Sequence, residues 1–97
     1  FDESKILSIE IIGVEKNGHL IRPQPLVDQG RIYFNNNTNK EHTIAIYTAA
    51  GNLVFKKLTT LNFFQLTANQ LPKGHLFFAI YSTNEGLYNT AGKLIVL

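Results

Sequence analysis

The sequence predicts an all-β fold, an immunoglobulin-like antiparallel β-sandwich of about seven strands. Short apolar or alternating runs recur between turn residues at the spacing typical of a sandwich, and no segment keeps a helical period. Of the 97 residues, 44% are apolar and 16% are charged, a composition typical of a globular chain. A chain of this size supports one hydrophobic core, so residues 1–97 are predicted to form a single domain.

The first predicted strand lies in residues 5–15, KILSIEIIGVE, where Leu7, Ile9 and Ile11 share the more apolar face. The pair Asn17-Gly18 follows it and predicts a turn, because this pair readily adopts positive φ. Residues 1–15 are therefore expected to be either the first strand of the sandwich or a linker from a preceding domain.

Proline and glycine mark the boundaries of the remaining elements. Pro23 and Pro25 follow the short run HLI and predict a sheet edge or strand entrance, because proline cannot donate to a sheet ladder. Gly51 predicts a hairpin connection, and Pro72 with Gly74 predicts a tight turn before an apolar strand. The six further predicted strands are residues 31–35, 43–48, 53–59, 62–67, 75–82 and 92–97.

Alternation in the strand 75–82 predicts an apolar stripe on the outside of the sandwich. One face of this strand carries Leu76, Phe78 and Ile80. The opposite face carries Phe77, Ala79 and Tyr81, which are called the outer stripe below. Monomeric proteins seldom expose such a stripe. The pattern therefore predicts a neighbouring domain, a binding partner or a homodimer formed through the exposed apolar edge.

Several function classes lack the residues that they need. The net charge is +2 and the basic residues are scattered, so no nucleic-acid partner is expected. There is no cysteine, and the histidines His19, His42 and His75 stand far apart, so no metal is predicted. No acid or serine lies in a catalytic motif. We therefore expect neither an enzyme nor a cofactor.

The order of the turn motifs carries more information than any one of them. Pro23-Gln24-Pro25 precedes a strand, Gly51 closes a hairpin, Leu71-Pro72 with Gly74 forms a late turn, and Lys93 opens the final apolar run 94–97. Over residues 22–97 this series resembles the C-terminal sorting domain of proteins exported by the type IX secretion system. That family has a Pro-Asn-Pro-like entrance, a Leu-Pro-x-Gly-x-Tyr motif and a last strand introduced by lysine. The chain departs from it at Gln24, at Leu76 and at Ala49-Ala50.

The resemblance implies a secretion signal rather than a catalytic activity. It implies a cargo protein on the N-terminal side, which enters the periplasm of a Gram-negative bacterium and crosses the outer membrane to be secreted or held at the cell surface. It also implies recognition by outer-membrane components, a shuttle and a sortase-like peptidase that removes the domain. Residues 1–15 would then be the first strand or the linker from the cargo.

The resemblance suggests which residues of this chain are recognised. We expect the last strand to be the recognition end, with Lys93 fixing its register and Gly74 shaping the adjacent hairpin. A receptor could add a strand to an exposed edge or cover the outer stripe. The apolar residues of this recognition end are Leu94, Ile95, Val96 and Leu97.

A second hypothesis is an accessory adhesion or carbohydrate-binding module of an extracellular enzyme. Its sugar platform would consist of Tyr33, Tyr47, Tyr81 and Tyr88, although cross-strand packing explains these residues equally well. Coplanar exposed rings on one face favour this hypothesis. A bare hydrophobic edge at the end of the chain favours the sorting domain.

Overall fold

The computed structural model describes residues 18–97, which form seven β-strands and one short 3₁₀ turn. All strand pairs in the sheets are antiparallel. The strands in chain order are β1 (His19–Arg22), β2 (Gln29–Phe34), β3 (His42–Thr48), β4 (Leu53–Thr59), β5 (Phe63–Thr67), β6 (Gly74–Ser82) and β7 (Tyr88–Val96).

The strands form two sheets that pack against each other as a sandwich. The first sheet has three strands in the order β1-β2-β5, and the second has four in the order β4-β3-β6-β7. Within residues 18–97, no helix is long and apolar enough to cross a membrane. The predicted all-β, sandwich-like fold is confirmed, while its closer likeness to an immunoglobulin domain stays a prediction.

The predicted strands agree with the structure in number more closely than in their bounds. Six of them correspond to β2 through β7, and the predicted strand in residues 5–15 lies outside the described residues. The run before the prolines was taken only as an approach to an edge, yet it forms β1, paired with β2. The last strand begins at Tyr88 instead of residue 92, because its first residues pair with Ala79 to Tyr81 across an irregularity in β6.

The core lies between the two sheets and takes one face of nearly every strand. In β6 the predicted inward set is confirmed, since Leu76, Phe78 and Ile80 are at most 2% exposed. The aromatic ring of Phe34 stacks on that of Phe64 with centroids 5.3 Å apart, which joins β2 to β5 within the core. Burial of these apolar side chains is the main favourable contribution to folding.

The segment between β1 and β2 crosses from the first sheet to the second. Within it only Leu26 is buried, and it forms an isolated parallel bridge with Val96 of β7. Gly30 makes room for this crossing. A Cβ atom at Gly30 would lie 2.7 Å from the carbonyl oxygen of Arg22 and 2.8 Å from the Leu26 side chain. A larger residue at position 30 would therefore displace backbone atoms.

The connection from β5 to β6 is held by a single 3₁₀ turn, Ala68–Gln70. Ala68 donates its backbone N–H to the carbonyl of Asp28, and Leu71 closes the turn with a 3.0 Å bond to the carbonyl of Ala68. Both Ala68 and Leu71 are buried, whereas Pro72 is exposed. Leu71 therefore contributes to the core, and Pro72 stops the helical turn from continuing.

Candidate functional site

The motifs that are scattered along the sequence meet at one end of the sandwich, which we call the motif end. Gly74 pairs with Val96, and Val96 forms the bridge to Leu26 just after the two prolines. The β3–β4 turn that contains Gly51 lies at the same end, since the last residue of β3, Thr48, pairs with Leu76. The residues gathered here are Pro23, Pro25, Gly51, Leu71, Pro72, Gly74, Lys93, Leu94, Ile95, Val96 and Leu97.

The two glycine turns at the motif end need glycine for the backbone conformation. Gly51 has φ +90° and Gly74 has φ +109°, values that residues with a side chain rarely adopt. A Cβ atom at either position would meet nothing within 4 Å. The constraint is therefore conformational and not steric, which agrees with the turns that the sequence predicted.

The five residues of the predicted recognition end divide between the core and the surface. Leu94 and Val96 are buried in the core at 0% and 1% exposure. Lys93 and Leu97 are exposed, and Ile95 is half-buried. A partner can therefore touch Lys93, Ile95 and Leu97 on the folded domain, whereas Leu94 and Val96 hold the last strand in place.

The outer edge of the last strand is already paired by the proline segment. Leu26 donates its N–H to the carbonyl of Ile95 at 2.7 Å and accepts from the N–H of Leu97 at 3.0 Å. The Gln24 amide accepts from the N–H of Ile95 at 3.0 Å and donates to the carbonyl of Lys93 at 3.2 Å. The bare terminal edge that the sequence suggested is therefore not found over residues 93–97, since these four backbone groups have partners.

A scan against family models matches residues 20–97 to the secretion system C-terminal sorting domain. The chain belongs to this family. The match covers most of the chain and includes every residue at the motif end. The domain is the C-terminal signal that directs a cargo protein through the type IX secretion system, and its family occurs on proteins secreted across the outer membrane or displayed on the surface of Gram-negative bacteria. No curated protein matches the chain.

The tyrosines of this sorting domain do not form one platform. Tyr33 lies on the outer face of the three-stranded sheet, where its ring tilts by 51° against Phe63. Tyr47, Tyr81 and Tyr88 lie on the outer face of the four-stranded sheet. Each of them either alternates along its strand with buried residues or pairs with a residue that alternates in this way. Tyr33 is therefore separated from the other three tyrosines, which share one face. The coplanar rings that would favour a sugar-binding module stay a prediction.

The described part of the chain holds little else that is typical of a catalytic or metal site. Among residues 18–97, no group of three or more His, Cys, Asp or Glu side chains could hold a metal ion. His42 is buried and bonds the carbonyl of Lys40, and His19 packs edge-on against Phe78. These two histidines therefore pack within the sandwich.

Sequence reasoning missed three residues that shape the motif end. Gln24 was noted only as a departure from the family pattern, yet its side chain makes two bonds to β7. Leu26 and Gly30 were not singled out, although Leu26 is buried and Gly30 lies beneath it. The apolar pair Leu26-Val27 directly after Pro-Gln-Pro was the one available signal for an anchored loop.

Replacing Gln24 by alanine is expected to loosen the last strand without unfolding the domain. Two hydrogen bonds would be lost, but water can reach this exposed edge, so we expect a loss of about 1–2 kcal/mol in the free energy of unfolding. Urea unfolding measures this loss, and the Ile95 amide should exchange its proton faster. Gln29→Ala is the matched control, since Gln29 is an exposed glutamine of β2. Equal stability of the two variants would show that the Gln24 amide does not hold β7.

Proposed function

We propose that the type IX machinery recognises the folded motif end of this sorting domain, through a shuttle component at the outer membrane. The observation that carries the proposal is the convergence of motifs from four separate parts of the sequence on one end of the sandwich. Turns in a sandwich need no such common position to be stable. Their clustering beside the last strand supports a shared role in recognition.

The direction in which the chain enters the sandwich supports the same proposal. Gly18 lies against Thr90, near the start of β7. Leu97 is seven residues further along, about 23 Å away at about 3.3 Å per strand residue. Within residues 18–97 the chain therefore begins at the end of the sandwich opposite to the motif end. A sortase-like peptidase that cuts upstream of residue 18 would release the cargo without cutting any of the strands β1 to β7.

The pairing of the β7 edge bears on how the motif end is bound. Strand addition at residues 93–97 would have to displace Gln24 and Leu26 from their bonds to β7. The exposed apolar groups beside them are Val27 and Leu97, at 63% and 60% exposure. Contact with these side chains and with Lys93 needs no such displacement. We therefore assign recognition to the surface of the motif end and not to a free strand edge.

The proposal is tested with a reporter that carries an N-terminal signal peptide and residues 1–97 at its C-terminus. In cells with a working type IX system we expect export, with loss of the mass of the domain. In cells without that system the reporter should stay in the periplasm. A second reporter carries Val27→Asp and Leu97→Asp and should be retained although it is folded. Export of this variant at the normal rate would contradict recognition at the motif end.

A further inference from the structure

The outer face of the four-stranded sheet carries a row of alanines that crosses three strands. Ala45 of β3 pairs with Ala79 of β6, and Ala79 pairs with Ala91 of β7. Residues directly opposite in antiparallel strands point to the same face. Ala45 is buried, Ala79 is half-buried and Ala91 is exposed. The alanine row is therefore a shallow floor that opens toward β7.

Larger apolar side chains border this floor on both sides. The row on the side of the motif end consists of Leu53, Tyr47 and Phe77, which pair across β4, β3 and β6. The row on the other side contains Leu58, Tyr81 and Tyr88, with the smaller, buried Thr43 between Leu58 and Tyr81. Leu53, Leu58 and Tyr88 are between 50% and 71% exposed. The outer stripe predicted from β6 alone is thus part of a groove across the sheet.

The charges on this face have one sign. Lys56 pairs with Ala45 at the β4 edge, and Lys93 pairs with Phe77 at the β7 edge. Neither ammonium group has an ion-pair or hydrogen-bond partner among the residues described. The side-chain carboxylates within residues 18–97 belong to Asp28, Glu41 and Glu85, all outside the three rows. A partner with acidic groups at both sides of an apolar centre would complement the groove.

The outer face of the three-stranded sheet lacks this combination of apolar rows and lysines. Arg31 there lies 4.2 Å from the centre of the Phe63 ring, and its guanidinium donates to the side chains of Gln65 and Tyr33. These polar and aromatic groups are engaged with one another. Among residues 18–97, an apolar outer surface with lysines at both edges is therefore specific to the four-stranded sheet.

The size of the groove argues against a second copy of the chain as its occupant. Four strands about 4.8 Å apart and three rows about 6.6 Å apart give a face of about 14 by 13 Å. That is about 200 Å², against about 800 Å² per partner for a stable protein–protein interface. The outer rows are about 13 Å apart, which matches the diameter of one α-helix with its side chains, about 10–12 Å.

We propose that the outer face of the four-stranded sheet binds an amphipathic helix that carries carboxylates at both ends of its apolar face. The helix lies over the alanine row between the two apolar rows, and its carboxylates pair with Lys56 and Lys93. The assignment of this helix to the export machinery rests on the proposed function. The binding of such a helix by the groove does not depend on that function.

Two synthetic 21-residue helices test the groove on the chain of residues 1–97. Both have the same leucine and alanine face, one with glutamates at both ends of that face and the other with lysines there. The glutamate helix should bind about tenfold more tightly and shift the amide signals of Phe77, Ala79 and Ala91. Lys56→Glu with Lys93→Glu should reverse this preference, whereas the matched Lys→Arg pair should keep it. Equal binding of both helices, or shifts confined to the three-stranded sheet, would overturn the proposal.

Lys56 variants in the export reporter separate the two proposals, because Lys56 pairs with Ala45 outside the motif end whereas Lys93 belongs to it. Retention of Lys56→Glu with export of Lys56→Arg supports use of the groove during export. Normal export of both variants would refute that use. If even the unchanged domain is not exported, the proposed function fails, and the helix titration still decides whether the groove binds its helix.

Discussion

A reporter whose sorting domain lacks residues 93–97 is expected to remain entirely in the periplasm. The deletion removes Leu94 and Val96, both fully buried, together with the backbone groups that bind Gln24 and Leu26. Loss of one buried leucine side chain alone costs about 2–5 kcal/mol, and a domain is typically stable by about 5–15 kcal/mol. We therefore expect the truncated domain to be unfolded. Cell fractionation of the reporter and circular dichroism of the isolated chain measure the two effects.

A milder variant separates folding from recognition at the same strand. Lys93→Ala with Leu97→Ala changes two exposed side chains and leaves Leu94 and Val96 in the core. This variant should unfold at nearly the same urea concentration as the unchanged chain, but its export should slow. Normal export of the truncated reporter would contradict both the structural role of the last strand and its role in sorting.

Phe78→Ala is expected to have the largest effect of any single substitution in β6. The ring is 2% exposed and lies edge-on to His19 with ring centroids 5.0 Å apart. Gly92 leaves room for it, since a Cβ atom there would lie 3.1 Å from the tip of the ring. Removing a buried phenylalanine side chain costs about 3–5 kcal/mol, a large share of the stability of a small domain. Urea unfolding of the isolated chain measures this loss.

Phe77→Ala is the matched control, because it makes the same change one residue earlier on the opposite face of β6. Phe77 is 40% exposed, so its removal should cost about 1 kcal/mol or less. The two residues also differ in position, since Phe77 borders the groove on the outer face of the sheet and Phe78 does not. Equal losses of stability would mean that β6 does not bury the face assigned to it.

The position of the motifs gives the sorting signal a physical form. In the proposed recognition the signal is not a contiguous peptide, since Pro23, Gly51, Gly74 and Leu97 come together only in the folded sandwich. A receptor that binds the motif end as proposed would therefore also test whether the domain has folded. Substitutions in the distant core, such as Phe78→Ala, should then impair export through the loss of fold.

Much of the fold could be predicted because the sequence pattern has local causes. Alternation along β6 assigned Leu76, Phe78 and Ile80 to the core, since successive side chains of a strand point to opposite faces. The turns at Gly51 and Gly74 followed from glycine chemistry, because positive φ is a property of the single residue. The family was predicted in the same way, from the order of motifs that are each visible in the sequence.

The tertiary structure alone decided which of these residues a partner can reach. Lys93 to Leu97 looked like one apolar end, but their division into Leu94 and Val96 in the core and Lys93 and Leu97 outside depends on pairing with Gly74 to Phe77. The pairing of Gln24 with the β7 edge joins residues about seventy positions apart. Contacts of this kind arise only when two sheets pack, because no local preference of Gln24 specifies a strand so distant in the chain.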